Sequence, residues 1–131
     1  EYILMERKPG GYRKPTTQQR EESKIDKEDF QNWFSQIWEM PGASTRNGHP
    51  APFPLELATR LVKMFSFVGD IVVDPFCGSG TSMVAAMQNN RNSIGIETEQ
   101  LYCEQIMNRL DRERSVVFPA KISFVDLGNQ D

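Results

Sequence analysis

The sequence predicts an α/β fold, a partial parallel sheet flanked by helices. Three observations carry that expectation. "IVVD", from Ile71 to Asp74, reads as a short buried strand and runs straight into a glycine turn, "PFCGSG". From Gly80 to Gln88, small and apolar residues recur at helical spacing. A second apolar run, Ser93 to Glu97, leads into another amphipathic stretch, Leu101 to Leu110, whose Leu101, Ile106 and Leu110 can face a core. Strands alternating with helices in this order build a parallel sheet with right-handed crossovers.

The remaining elements follow in chain order. Glu1 to Arg7 alternates loosely and reads as a strand. It opens without an initiator methionine, as expected of a fragment or of a domain cut from something longer. Lys8 to Asn47 is polar, and "KPGGYRKPTTQQREESK" reads as a loop or linker. Within that zone Phe30, Phe34, Ile37 and Trp38 fall at helical spacing behind Asp26, a suitable N-cap, with Trp33 off the stripe. "HPAPFP" is helix-averse until Pro54, which suits a first helical turn. Leu57, Leu61, Val62, Met64 and Phe65 then supply an apolar stripe, and Gly69-Asp70 a turn. A last strand is expected from Lys121 to Val125. The divisions are therefore 1–7, 8–47 and 48–131.

The 131 residues suffice for one domain with a core, and the formal net charge of -3 gives no global basic field for nucleic acid. Such contact requires a local patch. Arg7, Lys8, Arg13 and Lys14 supply one, with Tyr12 as a stacking group, although Glu21 and Glu22 follow closely and a solvated linker accounts for the same pattern. Cys77 and Cys103 make no CxxC pair and are read as free thiols of a reducing compartment. No apolar run approaches membrane-spanning length, so the expectation is a cytoplasmic protein without a membrane partner.

The glycine turn is the candidate site. Gly78 and Gly80 allow backbone geometry and close ligand approach that a side chain would obstruct. The first N–H groups of the following helix have no intrahelical partner and can donate to a ligand. Ser79 and Thr81 add hydroxyls or simply cap the helix. A tight strand-to-helix turn without a ligand explains the glycines equally well. Glu97 shifts the balance: it ends the second strand about twenty residues beyond the glycines, where an acidic side chain can accept ribose hydroxyls. No GK[ST] follows the turn, which disfavours a triphosphate, and Met83 stands where a dinucleotide fingerprint wants a small residue. Asp74, at the tip of the first strand, would repel a pyrophosphate and attract an ammonium or sulfonium. S-adenosylmethionine carries both cations, whereas an NAD-type domain stays as the alternative.

These same residues carry a family resemblance. "DPFCGSGTS" resembles motif I of the amino-methylating DNA methyltransferases, "SIGIETEQLY" is similar to their motif II, and "GHPAPFPLELATRLVKMFSFVGD" resembles their motif X. The order matches the β-class, in which the chain is circularly permuted and the catalytic half comes first. "KISFVDLG" is a weaker match to motif III. The resemblance implies a Rossmann-like S-adenosylmethionine-dependent methyltransferase fold. It implies that Phe76, Gly78, Ser79, Gly80 and Thr81 wrap the cofactor near its methionine end, with Asp74 near the amino group, Glu97 on the ribose, and His49 to Phe53 as one wall. His49 is equally well read as a neutral loop residue, and it has no companions for a metal site.

The family's catalytic (Asp/Asn/Ser)-Pro-Pro-aromatic motif has no counterpart, because the chain contains no Pro-Pro. No residue is therefore assigned a catalytic role. The resemblance implies double-stranded DNA as partner, a missing amino-terminal catalytic half on the same or a separate chain, and a homodimer, since the family often pairs. Methyl transfer to adenine N6, ahead of cytosine N4, is expected only with that half supplied. A non-catalytic DNA- or protein-binding subunit is the other alternative. Without the catalytic half, Trp33, Phe34 and Trp38 are expected as an exposed apolar surface.

Overall fold

The consecutive β-branched residues Ile71, Val72 and Val73 favour a strand, and small residues nearby let helices lie close against it. The computed structural model describes residues 2–42, 53–114, 121, 123 and 125. Its elements are α1 (Thr17–Glu22), α2 (Lys27–Trp33), α3 (Leu55–Phe65), β1 (Ile71–Asp74), α4 (Thr81–Gln88), β2 (Asn92–Gly95) and α5 (Gln100–Glu113). β1 and β2 pair in parallel, with Ile71 opposite Asn92 and Asp74 opposite Gly95. The ladder continues past the strand ends: the Ile96 N–H donates to Asp74 O at 2.9 Å and the Cys77 N–H to Ile96 O at 3.0 Å.

One face of the sheet is covered. Val72 packs on Ala58 and Val62 of α3 and on Ala85 of α4. Val84, fully buried, joins Cys77, Ile106 and Leu110 where α4 meets α5. Gly95 admits α4 and the glycine turn closely, since a Cβ there would collide with Met83 Sδ of α4 and lie 2.8 Å from Cys77 Sγ. The other face carries Ile71, Val73, Ile94 and Ile96, which are 51% to 61% exposed.

The polar zone departs from the expected linker. Thr16 and Gln19 form a reciprocal capping box that starts α1: the Gln19 N–H donates to Thr16 Oγ1 and the Thr16 N–H to Gln19 Oε1, both at 3.1 Å. The segment is tied to the loop after α3, because Gln19 Nε2 donates to Val68 O at 2.9 Å and the Val68 N–H to Ser23 Oγ at 2.8 Å. Asp26 caps α2 as expected, accepting from the Asp29 N–H at 2.8 Å, but the helix ends at Trp33. Trp33 is the buried aromatic, while Phe30, Phe34 and Ile37 are exposed. The reason is tertiary: Lys63 Nζ stands 4.8 Å from the Trp33 ring centroid, and the Arg60 guanidinium lies 5.4 Å from that of Trp38. Trp38 Nε1 also donates to Trp33 O at 2.8 Å. The expectation of an exposed Trp33 and Trp38 is thus corrected, and that of Phe34 stands.

Four smaller corrections concern the bounds or the existence of elements. Pro54 is the N-cap of α3, one residue before its first turn. α5 runs to Glu113, beyond the expected Leu110. Tyr2 to Arg7 form no strand, having no neighbour to pair with among the described residues. Lys121, Ser123 and Val125 are likewise not in a strand, and Ile122 and Phe124 of that expected element lie outside the described residues.

Candidate functional site

The carboxyl ends of β1 and β2 bring Asp74, the glycine turn and Glu97 together. Gly78 and Gly80 both adopt positive φ, 48° and 77°, which explains why the turn needs glycine. Gly80 is the N-cap of α4, and a Cβ on it would approach Ile106 Cγ2 of α5 to 3.2 Å. The Gly80 N–H donates to Cys77 O at 2.7 Å, closing the turn.

Glu97 faces the turn. Its Oε2 accepts the Gly78 N–H at 2.9 Å, and its Oε1 accepts the N–H groups of Thr98 at 2.7 Å and Glu99 at 2.9 Å. The Glu99 amide, with those of Thr98 and Gly78, holds this carboxyl below its ordinary range against the opposing effect of burial. Asp74 Oδ1 accepts the Phe76 N–H at 3.0 Å, and Oδ2 accepts the Ser82 hydroxyl. A carboxylate offers about four acceptor sites, so Asp74 retains free capacity on both oxygens and Glu97 on Oε2. Among the described residues no ion pair engages either one. The local field is therefore negative. The thiol of Cys77 registers it: burial, then the charges of Asp74 and Glu97, push its pKa up to about 11.

Ser79 and Thr81 are drawn toward α5. Arg109 Nη1 donates to Ser79 O at 2.9 Å, Thr81 Oγ1 at 3.1 Å and Ser79 Oγ at 3.4 Å. Phe76 stands out at the strand tip, 89% exposed, and Phe53 is partly exposed ahead of α3. His49 lies outside the described residues. Ser82 and Arg109 were not legible as site residues. Ser82 is two residues beyond Gly80 on a helical turn that returns it to the strand tip, a signal of spacing alone. Arg109 lies 30 residues from Ser79 and gives no local signal.

The basic stretch is divided. Arg13 pairs with Asp70 and stands 5.8 Å from the Phe67 ring centroid, and Arg7 stacks on Tyr12 at 4.3 Å. Lys8 and Lys14 are exposed. Among the described residues no group of His, Cys, Asp and Glu could hold a metal ion, and no helix is long and apolar enough to cross a membrane. Both cysteines are free thiols.

The DNA methylase family model matches residues 1–108 of the chain. Type II methyltransferase M.MjaI of Methanocaldococcus jannaschii is 38% identical over 137 residues, covering 98% of this chain and 44% of that protein. M.MthZI of Methanothermobacter thermautotrophicus is 40% identical over 121 residues, covering 85% and 34%. Among solved structures, a candidate DNA modification methylase of Thermus thermophilus, complexed with S-adenosyl-L-methionine, superposes with a TM-score of 0.74 at 51% identity, over 82% of this chain and 42% of that one. The chain thus spans less than half the length of these relatives.

Proposed function

This chain belongs to the DNA methylase family, and from that premise we propose that it is the cofactor-binding, carboxyl-terminal part of a β-class amino-methylating DNA methyltransferase. The observation that carries the reading is the pair of unneutralised carboxylates, Asp74 and Glu97, on either side of a positive-φ glycine turn. Two fixed negative charges disfavour a pyrophosphate and favour a cationic nucleoside. S-adenosylmethionine fits that donor and charge set. Glu97 Oε2 keeps an acceptor site for a ribose hydroxyl, Asp74 keeps acceptor sites for an ammonium, and Phe76 and Phe53 supply apolar cover. When bound, that cofactor supplies an electrophilic methyl group. The residues of this chain bind and orient it, and none of them touches the methyl acceptor.

The acceptor in this reading is an exocyclic amino group, adenine N6 ahead of cytosine N4, on a base flipped out of double-stranded DNA. Flipping and amino-group activation fall to an amino-terminal half, on the same or a separate chain, because no Pro-Pro occurs here. The half-exposed sheet face of Ile71, Val73, Ile94 and Ile96, which no described element covers, supports such a companion, since parallel sheets are normally covered on both faces. Lys8 and Lys14 are the best-placed phosphate contacts of the basic stretch, with Arg7 and Arg13 already engaged within the chain. The relatives are named Type II methyltransferases of prokaryotes, which supports a restriction-modification setting; a cytoplasmic place, prokaryotic or phage-type, is part of the same proposal.

Calorimetric titration of the chain with S-adenosylhomocysteine and with NADH tests the cofactor assignment. Saturable binding of the former is expected, and binding of NADH alone overturns it. Transfer of labelled methyl groups to DNA tests the division of labour: none by this chain alone, and transfer once the amino-terminal half is added. Transfer by the isolated chain contradicts the reading.

A further inference from the structure

Both ends of one peptide unit in the glycine turn are pinned, one by α5 and one by the turn itself. The unit joins Ser79 to Gly80. Its carbonyl accepts from Arg109 Nη1 at 2.9 Å, and its N–H donates to Cys77 O at 2.7 Å. The same guanidinium nitrogen reaches Thr81 Oγ1 at 3.1 Å. Ile106, one helical turn earlier on α5, backs Gly80 so closely that a Cβ would sit 3.2 Å from its Cγ2. α5 therefore holds the turn by an apolar contact at Gly80 and a charged donor at the residues on either side of it.

The peptide before a glycine at φ 77° is one that can flip, because glycine tolerates both orientations. A flip would break both the Arg109 contact to the Ser79 carbonyl and the Gly80 N–H bond to Cys77 O, turn the two carbonyls toward each other and change the shape of the turn. Among the described residues Arg109 has no carboxylate partner, so its charge acts on the turn without competition from an ion pair. Hydrogen bonds from an ionised donor are the stronger kind.

We propose that Arg109 is a positioning residue for ligand binding, fixing the Ser79–Gly80 peptide so that the glycine turn meets the amino-acid end of the cofactor. This rests on the cofactor reading above. It also assigns the Ser79 and Thr81 hydroxyls to anchoring the turn on α5. Glu97 shares the Gly78 amide with the turn but is held on its other oxygen by the amides of Thr98 and Glu99, so the nucleoside end depends on Arg109 far less.

The test uses two ligands that share the nucleoside and differ in the amino-acid end, S-adenosylhomocysteine and 5′-methylthioadenosine. With the 131-residue chain, Arg109→Ala is expected to weaken the first by about tenfold and leave the second unchanged, as loss of one charge-assisted contact network would. Arg109→Lys, which keeps the charge on a shorter and differently shaped donor, recovers part of the loss. Glu97→Gln weakens both ligands. Equal losses for both ligands in Arg109→Ala, or no loss for either, overturn the assignment. Failure of the unmodified chain to bind S-adenosylhomocysteine instead removes the cofactor reading itself. Amide exchange gives a readout without ligand: Arg109→Ala accelerates exchange at Gly80 and not at Ile94, and unchanged exchange at Gly80 overturns the pinning.

Discussion

The Gly78 amide donates to Glu97 Oε2 at 2.9 Å, joining the glycine turn after β1 to the tip of β2 across 19 positions of sequence. The Glu99 amide, then those of Thr98 and Gly78, hold the Glu97 carboxyl below its ordinary value of 4.5. Its folded pKa is thus lower than its unfolded one, and the folded state binds the proton less readily. The stabilisation is complete above the unfolded value and is lost as pH falls through the folded one. The melting temperature of the native chain should therefore decline more steeply below pH 4.5 than that of Glu97→Gln. Other carboxylates titrate there too, so the difference between the two profiles is the quantity to read. Parallel profiles would mean that the three amides do not favour the charged form.

Gly95 stands opposite Asp74 in the sheet, beneath α4. An alanine Cβ there would come within 2.8 Å of Cys77 Sγ and collide with Met83 Sδ. Overpacking of this kind costs about 1–3 kcal/mol. Gly95→Ala should lower the denaturant midpoint by a corresponding amount. Met83→Ala in the same chain should restore part of it, because the two sites share the space and their effects will not add. A midpoint unchanged by Gly95→Ala would contradict the close approach of α4.

Much of this arrangement is local and could be read from sequence. "IVVD", the glycine turn and the helix after it are contiguous, and Glu97 follows at the spacing of a strand–helix–strand unit. The capping box of α1 was equally local, in Thr16 and Gln19, but the polar composition around it masked the signal. Trp33 was misplaced for a different reason. Periodicity selects the most apolar face, Phe30 and Phe34, whereas the cations Arg60 and Lys63 on α3 select which aromatic is buried. Tyr2 to Arg7 shows the converse. Its alternation satisfies a strand pattern, yet a strand exists only with a neighbour to pair with. Arg109 was invisible because its role depends on two helices meeting.

The two thiols should differ in reactivity. Cys77 is buried, and burial together with the charges of Asp74 and Glu97 raises its pKa to about 11. The thiolate is the nucleophile, so Cys77 is protonated and inert near neutral pH. Cys103 is partly exposed on α5. Brief alkylation of the folded chain, read by peptide mass spectrometry, should modify Cys103 and spare Cys77 until denaturant is added. Preferential labelling of Cys77 would mean that the turn is open.

Trp33 anchors α2 to α3. Its indole is buried, with Lys63 Nζ 4.8 Å and the Arg60 guanidinium 5.9 Å from the ring centroid. Truncating a buried aromatic typically costs about 3–5 kcal/mol. Trp33→Ala should fall near the lower end, because this site lies at the periphery, and Trp33→Phe should keep much of the contact. Urea denaturation followed by circular dichroism measures both. Equal stability of Trp33→Ala and the unmodified chain would mean that α2 is not docked.

Among the described residues no element covers the sheet face of Ile71, Val73, Ile94 and Ile96. In a parallel sheet both faces are ordinarily packed, and aliphatic side chains such as Val73, Ile94 and Ile96 favour that burial. Here they are exposed, while Val72 on the opposite face packs on α3 and α4. A charge placed at Ile94 consequently breaks nothing inside the chain. Ile94→Lys should change its unfolding free energy by no more than about 0.5 kcal/mol. Docking of the proposed amino-terminal half onto this face would bury the same lysine without a partner, which is costly. Complex formation, followed by analytical ultracentrifugation with the two polypeptides mixed, should therefore fail for Ile94→Lys and survive Gln88→Lys on the helical side. If Ile94→Lys instead unfolds the chain alone, the face is already part of a core. If it leaves the complex intact, the proposed half does not dock on this face.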